Sequence, residues 1–391
     1  MSKKKLLVIT SRFPFPVIGG DRLRIYKVCE ELSNNFDITL LSLCEAKDEL
    51  HFDVGDDKVF KEIKVVYHPR WKSYFNCIRA FFSKKPLQVA YYQSNDFSKL
   101  VTDVVDDFDF VLCHLIRMSD YVKDVNKPKV LEMTDAISLN YSRVRDKLGW
   151  SSIMGVIYGF EYSRTLRYEQ SITKNFDKSF LVSDVDFSYL VENGVEGELL
   201  GISSNGVDDA LFKFDYNPDK RTIIFIGNMT SVQNYDAAVW FASSVMPLLL
   251  KHGDYIFKIV GRIGEKKKLQ LEKFSNVVVT GSVNSIIDSC DGAFVGVCPV
   301  RIGAGVQNKV LEYMALGIPA ITSTVGLEGI GAIPGYNILT SDTPEQYVEA
   351  ILRLLSCDYA SQIGQQGRQY VMTNHVWSSK VEPITKFLTM R

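Results

Sequence analysis

The chain has 391 residues, enough for two domains that each bury a core. At 46% hydrophobic and 23% charged residues it reads as an ordinary soluble globular chain, and its net charge of -1 offers no global field for nucleic acid. Seven scattered cysteines without a Cys-x-x-Cys, and five histidines without ligand spacing, argue against a disulfide framework or a zinc site and fit a reducing cytoplasm.

The chain opens on a short apolar run, Leu6–Thr10, too brief for a signal peptide and better read as a first buried strand. A Pro-rich loop, Ser11 to Pro16, leads to Gly19-Gly20-Asp21, which opens a helix. Glycines there allow a ligand close to the backbone. The absence of G-x-G-x-x-G weakens a dinucleotide dehydrogenase reading. Further strands are expected at Ile38–Leu43, Ile63–Tyr67, Phe110–Leu115, Lys129–Met133 and Lys178–Val182, alternating with helical stretches. Arg70 to Lys85 carries five cations and no acid, with Trp71, Tyr74, Phe75, Ile78, Phe81 and Phe82 at helical spacing. Such a helix can lie on anionic lipid, or its stripe can pack on the first sheet. Asp135 ends the fifth strand and is a candidate polar group at a reaction centre, with helix capping as the plain alternative. His114 ends the fourth strand and reads as structural. Arg164 and Glu169 read as scaffold, or as a solvated helical face.

The rhythm restarts after the turn-rich Asn205-Gly206-Val207-Asp208. Strands are expected at Ile223–Gly227, Phe257–Gly261, Val277–Gly281, Ala293–Cys298 and Ala320–Ser323. This pattern predicts an α/β fold of two Rossmann-like doubly wound domains, 1–204 and 205–375, facing across a cleft at their strand C-terminal ends. A helix is expected over 376–391. No run approaches the length of a transmembrane helix.

The most informative stretch is Arg301 to Ile330. Gly303-Ala304-Gly305 forms a loop, Asn308, Lys309 and Glu312 begin a helix, and Gly317 and Pro319 end it. A helix N-terminus presents unpaired N–H groups and a positive dipole end, which favour phosphate. Lys309 adds a cation. Glu312 lies roughly 4–5 Å further along the axis, a reach that suits ribose hydroxyls. The plain alternative is an amphipathic core helix with a surface lysine.

Arg301, Gly303, Gly305, Lys309, Glu312, Gly317 and Pro319 resemble the donor-binding signature of retaining glycosyltransferases of family 4, which have the GT-B fold and build bacterial polysaccharides. The resemblance implies transfer of a sugar from a nucleotide diphosphate sugar to a glycan or lipid-linked acceptor. It needs no metal or other cofactor, and no Asp-x-Asp motif is placed to hold one. Gly19, Gly20, Arg301, Gly303, Gly305, Asn308, Lys309 and Glu312 would bind the donor, with Lys309 and Asp135 in catalytic roles. The tail would cross back onto the first domain. The family often has two glutamates, and Ala304 stands where the first would be. A donor outside the plain UDP-glucose type, such as a deoxysugar nucleotide, is therefore expected. Asn228, Met229 and Asn234 stand where many members carry cations, which shifts the phosphate role toward Lys309. A nucleotide-sugar 2-epimerase and a non-catalytic nucleotide-sugar-binding protein remain as other readings. The expected location is cytoplasmic, with peripheral contact at the inner face of the membrane.

Overall fold

A computed structural model describes residues 3–17, 20–149, 152–283, 285–302 and 305–391. The chain divides into two compact units, residues 1–204 with 377–391, and residues 205–376.

In the first unit, β1 (Lys4–Thr10), β2 (Phe36–Cys44), β3 (Phe60–Tyr67), β4 (Phe110–His114), β5 (Lys129–Thr134), β6 (Lys178–Leu181) and β7 (Leu200–Ile202) form one sheet. The order is β3-β2-β1-β4-β5-β6-β7, with every neighbouring pair parallel. A parallel sheet covered on both faces needs strands apolar on both sides, which is why these runs do not alternate. Leu7 and Ile9 enter one core with Val111 and Leu131. Leu6 and Val8 enter the other with Leu112 and Val130. That second core is closed by the helices Gly20–Ser33 and Trp377–Thr389. The last helix contributes Trp377, Val381, Ile384 and Leu388, spaced as one apolar stripe. Fully burying a side chain of this kind stabilises by about 1.5–3 kcal/mol, so this stripe is what holds the tail on the first unit.

In the second unit, β8 (Thr222–Ile226), β9 (Ile256–Val260), β10 (Val277–Gly281), β11 (Ala293–Cys298), β12 (Ala320–Thr322) and β13 (Leu339–Thr340) form a parallel sheet ordered β10-β9-β8-β11-β12-β13. Strands β7 and β13 are additions to the expected set.

Both sheets reverse direction of growth at one point, between β1 and β4 and between β8 and β11. In doubly wound sheets, ligands bind beyond the strand C-termini at that point. The loops after β1 and β4 in one unit, and after β8 and β11 in the other, are therefore where a site is to be sought.

Candidate functional site

In the second unit the helix Asn308–Ala315 begins just after the loop that follows β11. Its position is set from below. Gly296 has no side chain because a Cβ there would lie 2.3 Å from the Tyr313 ring. Tyr313 is fully buried, and its hydroxyl accepts from the Ile226 N–H at 2.7 Å. The helix is thus pinned to both strands of the switch point. Gly305 has φ +74°, a left-handed turn that favours glycine. Gln307, at the N-cap, makes no side-chain cap bond, which leaves the first helical N–H groups available to a ligand.

Lys309 is largely buried, and its ammonium is held by Asn234 Oδ1 at 3.1 Å and Gln307 Oε1 at 3.0 Å, above the Phe225 ring. Asn234 also donates to the Asn228 carbonyl at 3.1 Å, so the turn after β8 and the lysine form one network. Both hydrogen-bond partners are neutral amides, and a lysine ammonium is a compact point charge suited to an anion. Glu312, half-buried one turn on, has its carboxyl pushed up to about 7 by burial, against the opposing pull of Lys309. Asn308 Oδ1 accepts from Asn205 Nδ2 at 2.6 Å. Gly261 closes the turn on the other side: its φ is +135°, and a Cβ there would lie 2.0 Å from the Gly227 carbonyl oxygen.

Arg301 lies between β11 and the helix Asn308–Ala315. Its guanidinium makes a bidentate pair with Asp236 and lies over Trp240, so it is already engaged. Gly19, Gly303 and Ala304 lie outside the described residues, while Gly20 has φ +58° at the start of its helix.

In the first unit the ends of β4 and β5 carry a buried polar cluster. Glu132 is fully buried, with Arg24 at 2.8 Å on Oε1 and His114 Nδ1 at 2.5 Å on Oε2. Burial alone would raise the Glu132 carboxyl, but Arg24 and His114 outweigh it and hold it at about 2. Arg24 also donates to the Ser203 and Ser204 carbonyls. His114 Nε2 is buried and has no partner among the described residues.

The backbone at both strand ends is unusual. Leu115 and Thr134 have φ +68° and +65°, and the β5–β6 register shifts between Glu132 and Thr134. A β-branched residue at positive φ is strained, and such strain gathers at functional sites. The irregularity immediately precedes Asp135. Burial, with Asp186 and Glu132 nearby, raises its carboxyl well above the usual range, and Arg24 and Arg117 oppose this.

Asp135 does not cap the following helix, Ile137–Leu148. The N-cap is Ala136, without a side-chain cap bond. Glu169 serves that end instead, accepting from the Ile137 and Ser138 N–H groups at 2.8 and 3.3 Å. Glu169 and Arg164 are buried, which corrects the reading of a solvated face. The Arg24–Glu132 pair escaped sequence reasoning, although a glutamate inside an apolar strand was its signal.

Two doubly wound parallel sheets of this kind make a GT-B fold, and solved structures of that class match along the whole chain. Sucrose-phosphate synthase from Thermosynechococcus elongatus matches at TM-score 0.74 and 15% identity, covering 99% of both chains. Anabaena HepE in complex with UDP-glucose matches at 0.68 and 13%, covering 99% of this chain and 100% of that one. WaaG, a glycosyltransferase involved in lipopolysaccharide biosynthesis, matches at 0.68 and 15%, covering 98% and 99%. A family model described as "Glycosyl transferases group 1" matches residues 220–357, the span that holds Asn234, Lys309 and Glu312. That span accordingly resembles group 1 glycosyltransferases, and the chain has the GT-B fold. A protein from the cps region of Klebsiella pneumoniae, of 44.6 kDa and uncharacterised, is 24% identical over 373 residues, 89% of this chain and 90% of that one.

Proposed function

We propose that this protein transfers a sugar, with retention of anomeric configuration and without a metal, from a nucleoside diphosphate sugar to a glycan or lipid-linked acceptor in surface polysaccharide synthesis. The observation that carries the reading is the Lys309 ammonium, held by Asn234 and Gln307 beside an uncapped helix start, with Glu312 one turn on. The helix N–H groups and Lys309 take the diphosphate, and Glu312 takes ribose hydroxyls. Their main catalytic work is to stabilise the charge that develops on the leaving diphosphate and to fix its position. Asp135 serves the reacting sugar or the acceptor hydroxyl. Support for the donor class comes from HepE, which was solved with UDP and with UDP-glucose. Support for the polymer comes from the relative in a cps region and from WaaG.

Calorimetry with UDP tests the assignment. Lys309→Ala is expected to weaken binding by about 1.5–3 kcal/mol, the size of a lost charged hydrogen bond, with the fold intact. Unchanged affinity would remove Lys309 from the site. The pH dependence adds an independent arm. Below about pH 7 the free protein holds Glu312 as the neutral acid. A ligand that needs the carboxylate must displace that proton, so UDP affinity should fall as pH drops through 7, by up to about tenfold per unit. Glu312→Gln should flatten that component. A wild-type profile that matches the glutamine variant at every pH would mean that Glu312 does not touch the nucleotide.

A further inference from the structure

The helix Arg70–Phe81 does not pack its aromatic stripe on the sheet. Only Ser73 and Ala80 of that helix are buried, whereas Trp71 is 67% exposed, Ile78 66% and Phe82, just beyond its end, 90%. Tyr74, Phe75 and Phe81 are also exposed. A second helix of the same unit, Ile153–Ile172, continues this surface with exposed Met154, Val156, Ile157 and Phe160. The two helices are locked together. Phe81 and Phe160 pack with ring centroids 6.0 Å apart, and Arg164 lies over Phe160 while donating to the Phe81 carbonyl. An open groove of about 610 Å³ runs along this junction, lined by Phe81, Phe82, Val156 and Phe160, with Lys84 and Arg167 also contributing.

The charges of this face are of one sign. The segment 70–85 has no acid, and the only two acids of the second helix, Glu161 and Glu169, are buried and turned inward onto Leu87, Arg164, Ile137 and Ser138. Arg70 and Lys85 are tied to Glu45 and Asp120. Lys72, Arg79, Lys84 and Arg167 are exposed and have no carboxylate partner among the described residues. An apolar face this continuous is uncommon on a soluble surface without an occupant. Aromatic side chains at helical spacing, framed by cations alone, match the headgroup and acyl boundary of an anionic bilayer.

We infer that the joint face of Arg70–Phe81 and Ile153–Ile172 docks the protein on an anionic lipid bilayer. The aromatic and aliphatic side chains enter the interface, and Lys72, Arg79, Lys84 and Arg167 meet the headgroups. This binding needs no donor and no turnover, so it stands or falls apart from the catalytic reading.

The test is co-sedimentation of the full chain with phosphatidylglycerol-containing vesicles and with phosphatidylcholine vesicles. Binding is expected on the anionic vesicles and should weaken as salt rises. The double variant Arg79→Ser, Lys84→Ser should lose about 30-fold in apparent affinity. The triple variant Trp71→Ser, Phe75→Ser, Phe82→Ser should lose binding while keeping the wild-type urea transition. No association with anionic vesicles at low salt would overturn the inference. So would a self-association of the chain that the triple variant disperses, if wild type then fails to bind vesicles.

Discussion

Glu132→Ala is expected to cost about 3–5 kcal/mol of stability, read as a fall in the urea midpoint of the first unit. The carboxylate is fully buried and holds Arg24 on one oxygen and His114 on the other. Removing it takes from the Arg24 guanidinium, itself 2% exposed, the carboxylate that its Nε donates to. A buried cation that has lost this carboxylate is the costly product, beyond the loss of one attraction. Replacing both partners, Arg24→Leu with Glu132→Leu, should therefore cost much less than the sum of the single changes. The pH dependence has a fixed sign. The Glu132 carboxyl is held at about 2 in the fold, below its usual 4.5, so its contribution is present above 4.5 and lost as pH falls toward 2. A single-variant loss under about 1 kcal/mol would show that the cluster relaxes or hydrates when opened.

Asp135→Asn is expected to lower kcat by about 10²- to 10⁴-fold, the range of a group acting in proton transfer, while UDP affinity changes little. The argument rests on position. The strained Thr134 and the register shift beside it deliver Asp135 at the end of β5, and the cap role is taken by Ala136 and Glu169. The same substitution should not unfold the protein. Asp135 has a carboxyl raised above its usual range, so the fold loses stability as pH climbs above the ordinary carboxylate value. Asparagine removes that loss, and the variant should equal or exceed wild type in urea at pH 8. Near-normal turnover on a working acceptor would reduce Asp135 to a structural residue.

The strand positions of both sheets were legible because buried parallel strands are apolar on both faces and bounded by turns. Strands β7 and β13, three and two residues long, are too short to show any period. The loop and helix from Gly305 to Glu312 were legible because spacing alone puts cation and carboxylate one turn apart. What held Lys309 was not, since Asn234 lies 75 positions away and amides carry no sequence pattern. Arg24 and Glu132 are separated by 108 positions for the same reason. Arg164 and Glu169 read as scaffold, and a solvated face stayed open beside it because charged residues are usually on the wet side of a helix. Their spacing relative to Thr165 and Ile172, both buried, would have placed them on the inner stripe. The pairing of Arg301 with Asp236, 65 positions away, carries no sequence pattern either.

The central claim is tested most directly by NMR of a nucleotide-sugar panel incubated with a lipid-linked glycan extract. The panel should include UDP-glucose and deoxysugar nucleotides, since Ala304 bears on that choice. The expected result is consumption of one donor only when acceptor is present, with the new linkage in the anomeric configuration of the donor. Release of free or epimerised sugar without acceptor, or a linkage of inverted configuration, would contradict it.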